Sequence, residues 1–192
     1  MLKIVLLYTP LQLNIAFLQL KQDYVDIPAW RISFFVHVFS SMLVLLAGFT
    51  QFSSQLRQQQ PRLHRAMGYL YVLIILLVTG PAGLIMSFYA NGGWLARVAF
   101  IVLSVLWMGF TARATYSAIK KDFTAHRHWM IRSFALTLSA LTLRMWKVVL
   151  ATITEMPPMT RYRLIAWLGW GVNLLLAEYL IRKSRQRSMT AA

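Results

Sequence analysis

Six long apolar stretches, separated by short polar segments, make up most of the chain. A helix needs about 20 predominantly apolar residues to cross the hydrocarbon core of a membrane. The pattern therefore predicts six transmembrane helices, at residues 4–20, 30–52, 67–88, 94–118, 130–153 and 162–181. The first stretch is interrupted by Thr9, Pro10, Gln12, Asn14 and Gln19. It could lie at the membrane interface instead, which would leave five spans.

Composition supports the same fold class, an all-α polytopic membrane helix bundle. The chain is 58% hydrophobic with a mean hydropathy of +0.56, and 13% of its residues are charged, against about a quarter in a soluble domain. Because every loop is short, we predict one transmembrane domain over residues 1–192, with a basic tail at 182–192. No small-residue cleavage site follows the N-terminal stretch, so we interpret it as retained. The absence of cysteine excludes disulfides and thiol catalysis.

The basic residues predict the orientation of the chain in its membrane. The net charge is +15, but lysine and arginine cluster in loops between apolar stretches, which favours anionic lipid headgroups over nucleic acid as partners. One side of the bundle carries Arg57, Arg62, Arg65, Lys120, Lys121, Arg127, Arg132, Arg182, Lys183, Arg185 and Arg187. The other side carries Lys21, Arg31, Arg97, Arg161 and Arg163. The positive-inside rule places the larger set, and both termini, in the cytoplasm.

The dipeptide His-Arg occurs twice, as His64-Arg65 and His126-Arg127, each time between a basic loop and an apolar stretch. With His128, these places hold three of the four histidines of the chain. The predicted orientation puts both pairs at the cytoplasmic face, at the ends of the third and fifth spans. The order span, basic loop, His-Arg pair, span occurs twice, which is a weak internal repeat.

Histidines on facing helices are the ligands that a b-type haem requires, and arginines beside them suit its anionic propionates. The residues predicted to hold haem are His64, His126, His128, Arg65, Arg127 and Arg132. Of these, His64 and His126 or His128 would bind the iron. A quinone is the related alternative, with Gln51, His64 and His128 as its polar contacts. Zinc bound by His64, His126, His128 and Asp122 is less favoured, because residues two apart point to opposite sides of a helix.

Charged and polar residues inside the spans are costly and therefore require partners or a purpose. His37 in the second span and Arg144 in the fifth are predicted at similar depth, where they could form a transport site. Arg113 and Glu178 could form an interhelical ion pair, unless Glu178 pairs with Arg182 four residues further on. Pro81 predicts a kink in the third span, because proline removes a backbone donor and clashes with the preceding turn.

Two segments and the residues around them resemble a known family of bacterial membrane proteins. The residues are His37, Gly48, Gln51-Phe52, Arg57, His64-Arg65-Ala66-Met67-Gly68-Tyr69-Leu70-Tyr71, Gly80, Gly83, His126-Arg127-His128-Trp129-Met130-Ile131-Arg132-Ser133 and Thr142-Leu143-Arg144. Together they resemble the predicted membrane proteins of domain-of-unknown-function family 2306, over about residues 30–144. The resemblance implies a bacterial inner-membrane protein that crosses the membrane several times, and it implies no activity, substrate or cofactor.

The leading functional hypothesis from the residues is a small redox membrane protein that binds haem b or a quinone near the cytoplasmic face. The alternatives are a non-enzymatic accessory or lipid-binding subunit of a membrane complex, and a small transporter. Because a His-Arg pair at a helix end is also well placed to contact lipid phosphate, lipid binding alone explains much of the pattern.

Overall fold

The structure is a computed structural model that describes residues 5–9 and 11–190, with the backbone alone for 187–190. It is 85% helical, and the described residues contain no strand. The helices are α1 (Gln22–Val25), α2 (Pro28–Gln51), α3 (Ser54–Gln59), α4 (Pro61–Ile74), α5 (Gly80–Ser87), α6 (Trp94–Ile119), α7 (Phe123–Thr137), α8 (Ser139–Ile153) and α9 (Pro158–Thr190). A 3₁₀ turn (Ala16–Lys21) precedes α1, and a π-helical turn (Ile75–Thr79) joins α4 to α5. The all-α prediction is confirmed.

The helices begin where the sequence carries residues suited to a first turn. Proline opens α2, α4 and α9 at Pro28, Pro61 and Pro158, where its missing N–H costs nothing. Ser53 caps α3 by accepting a hydrogen bond from the Leu56 N–H at 3.1 Å. Asp122 caps α7 in the same way, from the Ala125 N–H at 2.9 Å.

Four helices are long and apolar enough to cross a membrane: Pro28–Gln51, Pro61–Ser87, Trp94–Ile119 and Pro158–Gln186. They correspond to the second, third, fourth and sixth predicted spans. The fifth predicted span, at 130–153, is a pair of helices, α7 and α8, which bend by 42° at their junction and reach the required length only together. The basic tail expected after residue 181 continues as helix to Thr190.

The first predicted span does not appear as a long helix. Ile4 and Pro10 lie outside the described residues. Between residues 11 and 27 the described chain forms only the 3₁₀ turn and the four-residue helix α1. The structure therefore supports four or five spans, and the sixth is not confirmed.

By its contacts the chain divides into two compact units, unit 1 (Met1–Ala90) and unit 2 (Asn91–Ala192). The division falls between the two copies of the span–loop–His-Arg–span pattern, so each unit contains one copy. That the whole chain acts as one domain stays a prediction.

Unit 1 has an aromatic core in which the N-terminal segment packs against α2. Its buried centre is Tyr8, Leu18, Val25, Trp30 and Phe34. The aliphatic stem and ammonium of Lys21, 3% exposed, lie against this core. Lys21 Nζ donates a hydrogen bond to the Tyr89 carbonyl and lies 4.9 Å from the centre of the Tyr24 ring. An ammonium placed in this way is stabilised without leaving the apolar environment.

In unit 2, α6 and α7 are held together by buried hydrogen bonds between side chains. Trp107 Nε1 donates to Thr137 Oγ1 at 3.0 Å, and the Thr111 and Ser133 hydroxyls lie 2.7 Å apart. Without an apolar driving force between helices in lipid, such bonds and close packing hold helices together. They fix the rotation of α7 about its axis, and so the direction in which its other polar side chains point.

Helices α8 and α9, also in unit 2, make a close contact at Gly169. A Cβ atom there would lie 2.5 Å from Leu143 Cγ and 3.3 Å from Leu143 Cα, so only glycine fits without movement. Asn173 on α9 reinforces the contact, donating to the Thr142 hydroxyl and to the Ala135 carbonyl, both at 3.0 Å. This one amide therefore links α9 to both halves of the bent pair.

Candidate functional site

The two His-Arg pairs occupy equivalent positions in their helices. His64 and His126 are each the fourth residue of a helix, α4 and α7. Their backbone N–H groups close the first helical turn, on the Gln60 carbonyl at 3.0 Å and the Asp122 carbonyl at 2.9 Å. The pairs lie inside the helices and not in the loops before them, because α4 and α7 each begin six or seven residues earlier than the predicted spans.

In unit 2 the ring orientation of His126 is fixed by a neighbouring helix. Nδ1 of His126 lies 2.9 Å from the Ala114 carbonyl oxygen on α6. Because a carbonyl oxygen only accepts, Nδ1 carries the proton, and Nε2 of the neutral ring is the acceptor. A histidine that binds a metal or accepts a proton is commonly oriented in this way.

His128 lies two residues along the same helix and is buried, with 7% of its surface exposed. Because both residues are helical, the two rings point away from each other, which contradicts the zinc site predicted from His126 and His128 together. Among the described residues, no three histidine or acidic side chains are grouped closely enough to hold a metal ion.

In unit 1 two of the predicted site residues are in contact. Nε2 of Gln51, at the end of α2, donates to the His64 carbonyl at 3.3 Å. The Gln51 amide also covers Gly68, where a Cβ atom would lie 3.1 Å from its Oε1. Arg65 on the same helix is exposed. That His64 and His126 or His128 share one ligand stays a prediction.

The strongest polar contact in unit 2 joins Arg132 on α7 to Glu178 on α9. The guanidinium donates twice, from Nε at 2.5 Å and from Nη2 at 2.9 Å, to the two carboxylate oxygens. It also lies 4.6 Å from the centre of the Trp129 ring. Arginine, unlike lysine, forms both contacts at once through its planar fork. The sequence predicted Arg113 or Arg182 as the ion-pair partner of Glu178, and both predictions are wrong. Because α7 packs beside α9, Arg132 is the partner instead.

Further arginines surround this pair. Arg182 and Arg185 act electrostatically on Glu178, and Arg127 and Arg185 act on His128. We name the set Arg127, Arg132, Arg182 and Arg185 the arginine cluster. Four guanidinium groups and two carboxylates, those of Glu178 and Asp122, leave a local charge of +2, which is four minus two. The ion pair orders Arg132, and the other three give this end of unit 2 its excess positive charge.

The remaining intramembrane polar residues have local partners. Nδ1 of His37 lies 3.0 Å from the Thr79 carbonyl, at the π-helical turn of the same unit. Arg144 on α8 is exposed and donates to the Ala140 carbonyl one turn earlier. Arg113 is exposed and lies beside the Tyr116 ring of its own helix. A transport site formed by His37 and Arg144 stays a prediction.

Sequence reasoning missed Trp129 as a member of the site. It lies three residues before Arg132, the spacing at which side chains of one helix meet, and it also packs against Phe110 on α6, with ring centres 5.5 Å apart. The i, i+3 spacing of an aromatic residue and an arginine was the available signal.

Several long apolar helices, with charged side chains paired or gathered at their ends, define a polytopic α-helical membrane protein. A family model matches residues 34–181, and it describes a predicted membrane protein, family DUF2306. The chain therefore belongs to this family, domain-of-unknown-function family 2306. The match confirms the resemblance and extends it from residue 144 to residue 181, within α9. No curated protein and no solved structure matches the chain significantly.

Proposed function

We propose that this protein binds anionic lipid headgroups through the arginine cluster and serves as a non-enzymatic, accessory component of a bacterial inner membrane. The carrying observation is the local charge of +2 around one ordered guanidinium. Phosphate oxygens accept charge-assisted hydrogen bonds from several arginines at once, and juxtamembrane basic groups each contribute about 1 kcal/mol of attraction to an anionic leaflet.

Native mass spectrometry of the full-length protein, titrated with phosphatidylglycerol, tests the proposal. We expect Arg127→Gln/Arg185→Gln to weaken binding of one lipid about tenfold or more, as loss of roughly 1.4 kcal/mol or more requires. The matched control is Arg97→Gln/Arg161→Gln, which also removes two positive charges. These two arginines lie in the first turns of α6 and α9, whereas Arg182 and Arg185 of the cluster lie near the C-terminal end of α9. Equal affinity of the two variants would overturn the proposal, as would equal binding of phosphatidylcholine.

The proposal includes an orientation in which the basic loops and the arginine cluster face the cytoplasm. It is supported by the uneven distribution of lysine and arginine between the ends of the helices. Because the chain has no cysteine, single cysteines report the side of the membrane directly. A membrane-impermeant maleimide should label Met156→Cys in intact spheroplasts and Gln58→Cys only after permeabilisation. The reverse pattern would refute the orientation.

A redox function, with haem b or a quinone, is the second candidate, and the orientation of His126 favours the haem form. With Nδ1–H held by the Ala114 carbonyl, Nε2 is the atom available to an iron or to a hydrogen-bond donor. Protein purified from haem-replete cells should then show a Soret band that His126→Ala removes and His37→Ala retains. A colourless protein would exclude the haem form, and a quinone-free lipid extract of the purified protein would exclude the other.

A further inference from the structure

The C-terminal end of α6 carries three side chains on one exposed face that the arginine cluster does not include. Arg113, Tyr116 and Lys120 follow each other at spacings of three and four, which places them on one side of the helix. Arg113 and Lys120 are exposed, and Tyr116 is 52% exposed.

Both cations lie over the same ring. The Arg113 guanidinium carbon and the Lys120 ammonium nitrogen are each 5.7 Å from the centre of the Tyr116 ring. Two positive charges gathered at one ring repel each other unless an anion lies between them. In the described part of the chain neither residue forms an ion pair, because Glu178 is engaged by Arg132 and Asp122 caps α7.

The depth of Arg113 indicates where the anion would lie. It is six residues before Ile119, about 9 Å inside the end of α6 at 1.5 Å per residue. An arginine at this depth reaches towards the headgroup level, and its contact with Tyr116 shows that the guanidinium is directed to that end of the helix. Tyrosine is itself enriched at the membrane interface.

The surface below these residues fits an acyl chain. Gly109, one turn before Arg113, has no atom within 4 Å of an added Cβ, and Val105, another turn away, is 53% exposed. A shallow apolar path therefore continues along α6 from the two cations. A lipid would place its phosphate at the two cations and its acyl chain along this path, whereas free phosphate would contact the two cations alone.

We propose that Arg113, Tyr116 and Lys120 form a second lipid site, which binds the headgroup phosphate of an anionic phospholipid. The guanidinium, the ammonium and the phenol O–H all donate to phosphate oxygens. The site uses residues separate from the arginine cluster and stands whether or not that cluster binds lipid.

Native mass spectrometry with phosphatidylglycerol again provides the test, because it counts bound lipids. Arg113→Gln/Lys120→Gln should raise the Kd of one bound lipid about tenfold or more and leave the lipid of the arginine cluster in place. Arg97→Gln/Arg161→Gln is again the control, since it removes two positive charges from the N-terminal ends of α6 and α9. Helical content and the size-exclusion profile check the fold of each variant. If the double variant is poorly folded, Lys120→Gln alone, at the exposed helix end, should still weaken binding severalfold.

Unchanged affinity in a folded variant would overturn the second site. So would complete competition by millimolar inorganic phosphate, since that result identifies a site for soluble anions instead of lipid. If Arg127→Gln/Arg185→Gln has no effect while Arg113→Gln/Lys120→Gln does, the proposed function of the arginine cluster fails and this site remains.

Discussion

The ion pair between Arg132 and Glu178 predicts an asymmetry between its two members. Removing the acid by Glu178→Gln leaves Arg132 facing Arg182 and Arg185, three like charges with no carboxylate. Removing the base by Arg132→Gln leaves Glu178 with those same two arginines, which partly replace the lost partner. We therefore expect Glu178→Gln to be the more destabilising substitution, although Glu178 is the more exposed side chain.

The exposure of the two side chains determines how much each substitution should destabilise the protein. Breaking a fully buried pair costs about 3–5 kcal/mol, and an exposed pair is worth about 0.2–1 kcal/mol. The side chains here are 15% and 35% exposed, so an intermediate cost is expected. We expect about 2–3 kcal/mol for Glu178→Gln and about 1–2 kcal/mol for Arg132→Gln. The double substitution should cost less than the sum, because neither charge is then left alone.

The free energy of unfolding in mild detergent, measured by SDS titration with helical content as the signal, tests this expectation. Arg161→Gln, at the other end of α9, controls for loss of a charge alone. The reasoning is refuted if Arg132→Gln is the more harmful variant, or if the two substitutions are additive.

Two further pairs of substitutions test the packing of unit 2. Gly169→Ala should destabilise the protein by about 1–3 kcal/mol because the new methyl group meets Leu143, whereas Gly171→Ala meets nothing within 4 Å and should be neutral or stabilising by up to about 1 kcal/mol in a thermal melt. In a double-mutant cycle, Trp107→Phe and Thr137→Val should show a coupling of about 0.6 kcal/mol, and at most about 1.7; a coupling of zero would mean that their hydrogen bond does not stabilise α6 against α7.

The positions of the long helices were predictable because a span is defined by the length of its apolar stretch. The bend between α7 and α8 was not, since the stretch from 130 to 153 contains neither glycine nor proline. At the junction the hydroxyl of Thr137, the last residue of α7, donates to the Ser133 carbonyl one turn earlier. Such bonds often accompany a bend in a helix, and apolar periodicity does not register them.

The candidate site was predictable in its residue types and its place along the chain, and only in part in its contacts. The His-Arg pairs and Arg132 could be predicted because charged residues at the ends of apolar stretches stand out in the sequence. The partner of Glu178 depends on which helix packs beside α9 and on the rotation of that helix, which the Trp107–Thr137 bond helps to set. A single sequence contains neither quantity, and for this reason the local i, i+4 partner Arg182 was the natural alternative.

The π-helical turn at Ile75–Thr79 makes the length of its helix adjustable. A π turn holds one residue more than an α turn between its hydrogen-bonded ends, and each residue turns an α-helix by about 100°. Loss of Leu77, which is 70% exposed, would let this turn become α-helical while Pro81 and the residues beyond it kept their present faces. The same deletion in an unbroken helix such as α6 would rotate every later side chain away from its neighbours. A one-residue deletion at this turn should therefore disturb the packing of the helix less than the same deletion in α6.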